Sequence, residues 1–299
     1  MKIAILLSTY NGELYLREQL NSIAKQTLIN DIEVFIRDDG SKDSTIKIIN
    51  EFRKNLKIHL KQGENTGASK SFWDLLFDEA IQADYFAFCD QDDIWYPNKI
   101  EKQISYLEKD VNISTCNCRY INKTGEVLMD KRSFDPNTMQ LPAIFACGFT
   151  QGCAMVFTKK FRDFMLSLSI KTIPMHDWVI QMYATALDWK IKWHDEPLFD
   201  YRIHENNVVA KNNKGFIKNI TTTYRNWKFT AKSSLEDVAK EMLLNLNDID
   251  EINEKYLEYL STYKKNIQSK KELFFSPYIN CLNKKIKRSY RIKLLLNLL

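Results

Sequence analysis

Asp84-Tyr-Phe-Ala-Phe-Cys-Asp-Gln-Asp-Asp-Ile-Trp95 is the stretch that orders the reading of this chain. An aromatic, apolar run, Tyr85 to Cys89, stops at three carboxylates, Asp90, Asp92 and Asp93. That pattern predicts a buried strand opening onto a charged turn. Carboxylates at i and i+2 on a turn can face one small volume, where a hard divalent cation would neutralise them. An Asp-x-Asp also arises by chance roughly once in a chain of this size. Asp248-Ile-Asp250 repeats the pattern within what reads as a polar helix, where i and i+2 do not face each other. Only the position after a buried strand separates the two.

The flanking segments supply the frame for that strand. Lys2 to Leu7 reads as a strand broken by Ser8-Thr-Tyr-Asn-Gly12, followed by Leu16, Leu20 and Ile23 at helical spacing. Ile32 to Ile36 is the next strand, ending in Asp38-Asp-Gly-Ser41, with Asp43 or Ser44 capping a helix that buries Ile46, Ile49 and Phe52. Leu56 to Leu60 is a third, ending at Gly63-Glu-Asn-Thr-Gly67 before a helix from about Ala68 to Ala80. Strand alternating with helix predicts βαβ units and an α/β fold with a mainly parallel sheet flanked by helices. Ligands of such sheets bind outside the carboxyl ends of the strands. Those ends here carry Ser8 to Asn11, Asp38-Asp39, Asn65-x-Gly67 and Asp90-x-Asp92-Asp93. Neither G-x-G-x-x-G nor a P-loop is present, so a bound diphosphate would rely on metal and side chains.

Further on, Val111 to Ile121 and Cys153 to Thr158 read as strands around the bend Gly148-Phe-Thr-Gln-Gly-Cys-Ala154. Pro174-Met-His-Asp-Trp178 opens a helix, Trp193 to Tyr201 is mixed, and Tyr201-Arg-Ile-His204 follows. From about Lys211 strand signals cease. The expected organisation is one α/β domain over residues 1–210 and a helical C-terminal region over 211–299.

Composition agrees with globular material: 299 residues, 44% hydrophobic and 27% charged, net charge +5. Met1 to Leu7 is too short for a signal peptide and no apolar run reaches membrane-spanning length. Six cysteines without paired-ligand spacing predict reduced thiols and a cytoplasmic setting, with Cys116 and Cys118 in the core. The stretch Lys284 to Leu299 has basic and apolar residues and no acid. It reads either as a basic amphipathic helix on an anionic membrane surface or as a terminal helix docking its leucines onto the domain.

The ordered motifs Ser-Thr-Tyr-Asn-Gly (8–12), Asp-Asp-Gly-Ser-Lys-Asp-Ser-Thr (38–45), Asn-Thr-Gly (65–67), Asp-Gln-Asp-Asp-Ile-Trp (90–95), His-Asp-Trp (176–178) and Tyr-Arg-Ile-His (201–204) resemble the family 2 glycosyltransferases of GT-A fold, within them bacterial rhamnosyltransferase-like members. The resemblance covers roughly the first two hundred residues. It implies an inverting, metal-dependent transfer of a sugar, L-rhamnose from dTDP-rhamnose, or another sugar from a UDP donor, to a saccharide or lipid-linked saccharide acceptor in cell-surface polysaccharide synthesis. By the same resemblance Ser8, Thr9, Tyr10 and Asp39 hold the nucleoside, with Asp39 accepting from N3–H of uracil or thymine. Asp90 and Asp92 bind ribose and Mn²⁺ or Mg²⁺, and His204 completes the metal shell. Lys70 stands where the family often has Arg; it contacts base or phosphate, or is a solvated helix-face residue. Asp177 matches the general base, with His176, Trp178 and Gly152 on the acceptor or sugar side.

Residue chemistry leaves plainer roles for several of these. Asp39 could cap a helix, although Asp43 serves that better; Asp177 could be an ordinary first-turn carboxylate. Rival functions are a metal-dependent nucleotidyltransferase and a non-catalytic nucleotide-sugar binder. The first should carry a basic glycine-rich loop near the first strand, and Ser8 to Gly12 has no Lys or Arg; the second should have lost Asp92 or Asp177. Carboxylates crowding the expected cleft argue against nucleic acid.

Overall fold

The computed structural model describes residues 1–107, 110–204, 234–282 and 284–299, without the side chains of Tyr278 and Cys281. The described chain divides into two compact units that interleave in sequence. One comprises Met1–Phe134, Thr150–Ser167 and Lys190–His204, and the other Asp135–Phe149, Leu168–Trp189 and the residues from 205 onward. The boundary expected near residue 210 lies outside the described residues.

The first unit is built on one sheet. Its strands are β1 (Ile3–Thr9), β2 (Ile32–Asp38), β3 (Ile58–Gln62), β4 (Tyr85–Cys89), β5 (Ile94–Trp95), β6 (Val111–Ile121), β7 (Val127–Met129), β8 (Met155–Thr158) and β9 (Lys190–Arg202). They lie in the order β3-β2-β1-β4-β8-β6-β9-β5, with β7 against β6. β1 is parallel to both β2 and β4, and β2 to β3, as the βαβ rhythm predicts. Beyond β4 the sheet is mixed: β8 runs antiparallel to β4 and β6, while β9 is parallel to β6. The whole of Lys190–Arg202 is one strand, where the sequence pattern looked irregular.

Burial explains the continuous apolar runs. Ile3 to Leu7 are wholly inaccessible, and Ile3, Ile5 and Leu7 pack with Leu16, Leu20 and Ile23 of α1 (Leu16–Ala24). In α2 (Thr45–Phe52) Ile48, Ile49 and Phe52 face the same core, while Ile46 is only partly covered. Asp43 holds the start of α2, its carboxylate accepting from the Thr45 N–H at 3.0 Å. α3 (Ala68–Leu76) ends earlier than expected. The helices α4 (Lys99–Ser105) and α6 (Lys159–Leu166) complete this unit. Cys89, Cys116, Cys118 and Cys153 are buried and form no disulfide.

The second unit is helical among its described residues: α5 (Leu141–Cys147), α7 (His176–Ala186), α8 (Leu235–Asn245), α9 (Glu251–Thr262), α10 (Ile267–Phe275) and α11 (Lys284–Leu295). Asp248-Ile-Asp250 precedes α9 rather than lying within a helix. Asp250 caps it, accepting from the N–H groups of Ile252 and Asn253, both at 3.0 Å. Short polar side chains compete with the helical backbone, which favours this role at a terminus. No described helix is long and apolar enough to cross a membrane.

Candidate active site

The parallel strands β1, β2 and β4 deliver their carboxyl ends side by side, since Thr9 pairs with Asp38 and Leu7 with Cys89. Ser8, Thr9, Tyr10, Asp39, Asp90 and Asp92 therefore share one edge of the sheet. The Asp39 N–H donates to the Thr9 carbonyl at 2.8 Å, continuing the ladder one residue past β2. Thr9 turns its hydroxyl onto Asp38 at 2.9 Å and is itself buried. Ser8 donates to the Ser71 hydroxyl at 2.7 Å. Tyr10 is 47% exposed, which leaves its ring accessible beside the buried pair.

Asp39 is buried and richly supplied with donors. Its Oδ1 accepts from the Thr66 N–H at 2.9 Å, the Thr66 hydroxyl at 3.2 Å and the Arg37 guanidinium; Oδ2 accepts from the Gly67 N–H at 2.8 Å. Burial alone would raise its pKa, but Thr66, Arg37 and Gly67 outweigh that and hold the carboxyl below its usual range. A carboxylate oxygen has two lone-pair directions, so Oδ2 retains one for a further donor. Gly67 stands at φ +89°, a conformation that L side chains rarely adopt, and it aims its N–H at Asp39 while opening α3. Lys70 is exposed in the first turn of α3.

Arg37 went unremarked in the sequence, although a strand places Arg37 and Asp39 on one face by its two-residue period. Its Nε pairs with Asp74 at 3.0 Å and Nη2 donates to the Thr66 hydroxyl at 3.1 Å. Three points of attachment fix the guanidinium and, through it, Asp39.

The acidic turn after β4 distributes its side chains in different directions. The Asp92 carboxylate meets Nε2 of His204 at 2.7 Å, both side chains largely covered. The His204 ring lies against Tyr15, centroids 4.9 Å apart. Asp93 is fully buried, and burial, with the charges of Asp92 and Asp90 beside it, pushes its pKa well up. Its side chain faces that of Cys153. Ligand atoms of Asp90, Asp93 and Cys153 lie within 4.8 Å of one another. Gly152, the residue before that thiol, is buried at the start of a short 3-10 turn. The carboxylates of this turn make an acidic patch of oxygen donors of the kind that suits a divalent cation.

Two residues of this turn's support were not singled out from the sequence. Gln91 points toward β1: its Oε1 accepts the Tyr10 N–H at 2.9 Å and its Nε2 donates to the Tyr10 carbonyl at 3.0 Å. The amide thus complements the backbone N–H and C=O of one residue, tying the loop after β1 to the loop after β4. Gly12 leaves room for it, since a Cβ there would stand 2.3 Å from Gln91 Oε1. Arg202, buried at the end of β9, donates from Nε to the Asp92 carbonyl at 2.9 Å and from Nη1 to the Lys123 carbonyl at 3.3 Å, and it pairs with Glu18. Its N–H reaches Asp93 at 3.3 Å. The motif Tyr201-Arg-Ile-His204 therefore contributes two side chains to the acidic turn, one holding its backbone and one facing its carboxylate.

His176, Asp177 and Trp178 belong to the second unit, in the first turn of α7. His176 is buried; desolvation lowers its pKa against the opposing charge of Asp177, so the ring is neutral near neutral pH. Asp177 is half-buried. Its carbonyl accepts from Gln181 Nε2 at 3.0 Å, and Gln181 Oε1 accepts the Phe149 N–H at 2.8 Å. Trp178 donates its indole N–H to the Ile144 carbonyl, which anchors the end of α5. That bond occupies the polar edge of the indole and leaves its faces for packing.

A family model described as glycosyl transferase family 2 matches residues 4–165. The dTDP-rhamnosyl transferase RfbG of Shigella flexneri is 34% identical over 220 residues, covering 69% of this chain and 74% of that protein. An uncharacterized protein of Mycobacterium tuberculosis is 28% identical over 216 residues, covering 69% of this chain and 60% of its own length. In fold, the chain matches S. aureus TarS in complex with UDP-GlcNAc at a TM-score of 0.61 and 16% identity, over 98% of this chain and 89% of that one. The mannosyltransferase PcManGT from Pyrobaculum calidifontis, in complex with GDP-Man and Mn²⁺, matches at 0.58 and 13%, over 99% and 86%. These two likenesses establish the GT-A architecture. With the family model spanning more than half of the chain, and a relative at this identity matched over most of its length, the chain belongs to glycosyl transferase family 2 and is a glycosyltransferase.

Proposed function

We propose that the chain is an inverting, metal-dependent rhamnosyltransferase that moves L-rhamnose from dTDP-rhamnose to a saccharide acceptor in cell-surface polysaccharide synthesis. The observation that carries the donor is the similarity to dTDP-rhamnosyl transferase RfbG. Support for metal dependence comes from the meeting of Asp92 with His204 on the turn after β4 and from the ligand atoms of Asp90, Asp93 and Cys153 gathered on the same turn.

In this reading Tyr10 and the free direction of Asp39 Oδ2 receive the base. Thymine and uracil both present an N3–H there and cytosine does not, so Asp39 selects the class of nucleotide. Ser8 and Thr9 set the end of β1 against the nucleoside, and Lys70 contributes a point charge toward base or phosphate. Asp90 takes the ribose, and Asp90, Asp92 and His204 would hold Mn²⁺ or Mg²⁺, the imidazole favouring Mn²⁺. When bound, that ion supplies Lewis-acid neutralisation of the charge on the departing diphosphate. Asp177 takes the proton of the acceptor hydroxyl as that oxygen attacks the anomeric carbon from the face opposite the nucleotide. Neutral His176 keeps positive charge away from that carboxylate, which preserves its basicity. Trp178 offers an apolar face to a sugar ring, and Gly152 joins it on the acceptor or sugar side.

Paired measurements on two variants test this assignment. Asp92→Asn should lose Mn²⁺-dependent dTDP binding and transfer together, because an amide is a poor ligand for a hard cation. Asp177→Asn should bind dTDP and metal like the wild type while transfer falls by about two to four orders of magnitude. Transfer near the wild-type rate in Asp177→Asn would remove it from the mechanism, and unchanged binding in Asp92→Asn would remove the metal role.

A further inference from the structure

The carboxyl-terminal helix carries two faces with different chemistry. Tyr290 and Leu294 of α11 are buried, the Tyr290 hydroxyl lying 3.1 Å from that of Tyr256. Beyond α11, the Leu299 N–H donates to the Tyr263 hydroxyl oxygen at 3.0 Å. α11 is thus docked through one stripe. The opposite stripe, at helical spacing, carries Lys285, Arg288, Ile292, Leu295 and Leu296, all exposed; Ile292 is 41%, Leu295 57% and Leu296 56% exposed. Cations occupy its first half and aliphatic side chains its second. Residues 273–299 contain no Asp or Glu.

We infer that this outward face of α11 is a docking surface for an anionic lipid bilayer, the leucines entering the interface and the cations meeting lipid phosphates. Three large aliphatic side chains left in water beside Lys285 and Arg288, which form no ion pair among the described residues, match a surface with an apolar interior and an anionic skin. Electrostatic attraction of about 1 kcal/mol for each cation near such a surface complements the buried apolar area. The two sequence readings of this segment, domain docking and membrane contact, then hold for opposite faces of the same helix. The inference rests on this face alone and not on the donor or metal assignment.

Sedimentation of the full chain with vesicles tests it. The wild type should pellet with phosphatidylcholine vesicles containing phosphatidylglycerol and stay in solution with phosphatidylcholine alone. Lys285→Gln/Arg288→Gln should weaken that partitioning about thirtyfold, and Ile292→Glu/Leu295→Glu/Leu296→Glu should abolish it. Both variants should keep the wild-type urea midpoint and dTDP affinity, because every altered side chain is exposed; should the triple variant fail to fold, the double variant still decides. A wild type that ignores anionic vesicles, or binds neutral ones equally, overturns the inference. So does a triple variant that still pellets, or one whose only change is dissociation of a dimer, which would make the face a contact between copies of this chain.

Discussion

Replacing Gln91 by alanine removes both hydrogen bonds that lock the Tyr10 peptide to the acidic turn, at 2.9 and 3.0 Å. Net worth of about 0.5–1.5 kcal/mol per bond, taken toward the low end because Tyr10 is half-exposed, gives about 1–2 kcal/mol for the pair. If that lock holds the nucleoside side and the metal side in register, dTDP affinity in Mn²⁺ should fall roughly five- to thirtyfold. Gly12→Ala should produce the same loss without touching Gln91. Its Cβ would sit 2.3 Å from Oε1 and 2.8 Å from Cδ, and the amide, as the far end of a flexible side chain, swings away. Gly12 is outside the positive-φ region, so alanine introduces no backbone strain of its own. The double variant Gly12→Ala/Gln91→Ala should bind no worse than either single one, since the added methyl then occupies vacated space. Calorimetric titration of dTDP on all four proteins reads the cycle. Additive losses in the double variant, or a Gln91→Ala protein with wild-type affinity, would refute the lock.

Arg202→Met should lower stability by about 1–3 kcal/mol, because the Asp92 and Lys123 carbonyls lose their donors while the Glu18 pair is too exposed to add much. Urea unfolding measures this, and an unchanged midpoint would show that water replaces the guanidinium at no cost. His194 is buried against Tyr106, and burial first, then the charge of Lys192, lowers its pKa to about 4. A folded-state pKa below the unfolded value means that stability is whole above the unfolded value and declines as pH falls toward the folded one. Between about pH 7 and pH 5 this residue should withdraw about 2 kcal/mol. His194→Phe, which keeps the stacking, should flatten that part of the pH–stability profile; an identical slope in both proteins would refute the assignment.

The linear pattern determined the parts whose causes are local. Tyr85 to Cys89 reads as a buried strand because the run is aromatic and apolar, and the alternation of such runs with helical spacing predicted a mainly parallel sheet, as β1 to β4 are. The motif ending in His204 could be set beside Asp92 on resemblance, and the two side chains meet in the fold. Equal patterns separated only through context. Asp90-x-Asp92 ends a strand beside β1, whereas Asp248-x-Asp250 ends as a helix cap, since a carboxylate takes whichever unpaired N–H groups its neighbourhood supplies.

Tertiary structure alone decided which polar residues serve the site indirectly. Gln91, Arg37 and Arg202 act through backbone or through another side chain, and their partners lie as far as 184 positions away. Glutamine and arginine are common on any surface, so no local signal marks those that are enclosed. The antiparallel insertion of β8 between β4 and β6 is likewise a long-range choice, because the two pairing directions differ only slightly in stability per residue and packing selects one. The same holds for Asp93. In sequence it is one more carboxylate of the turn, yet in the fold it is completely buried, which pushes its pKa up, and burial is a property that only the folded chain can assign.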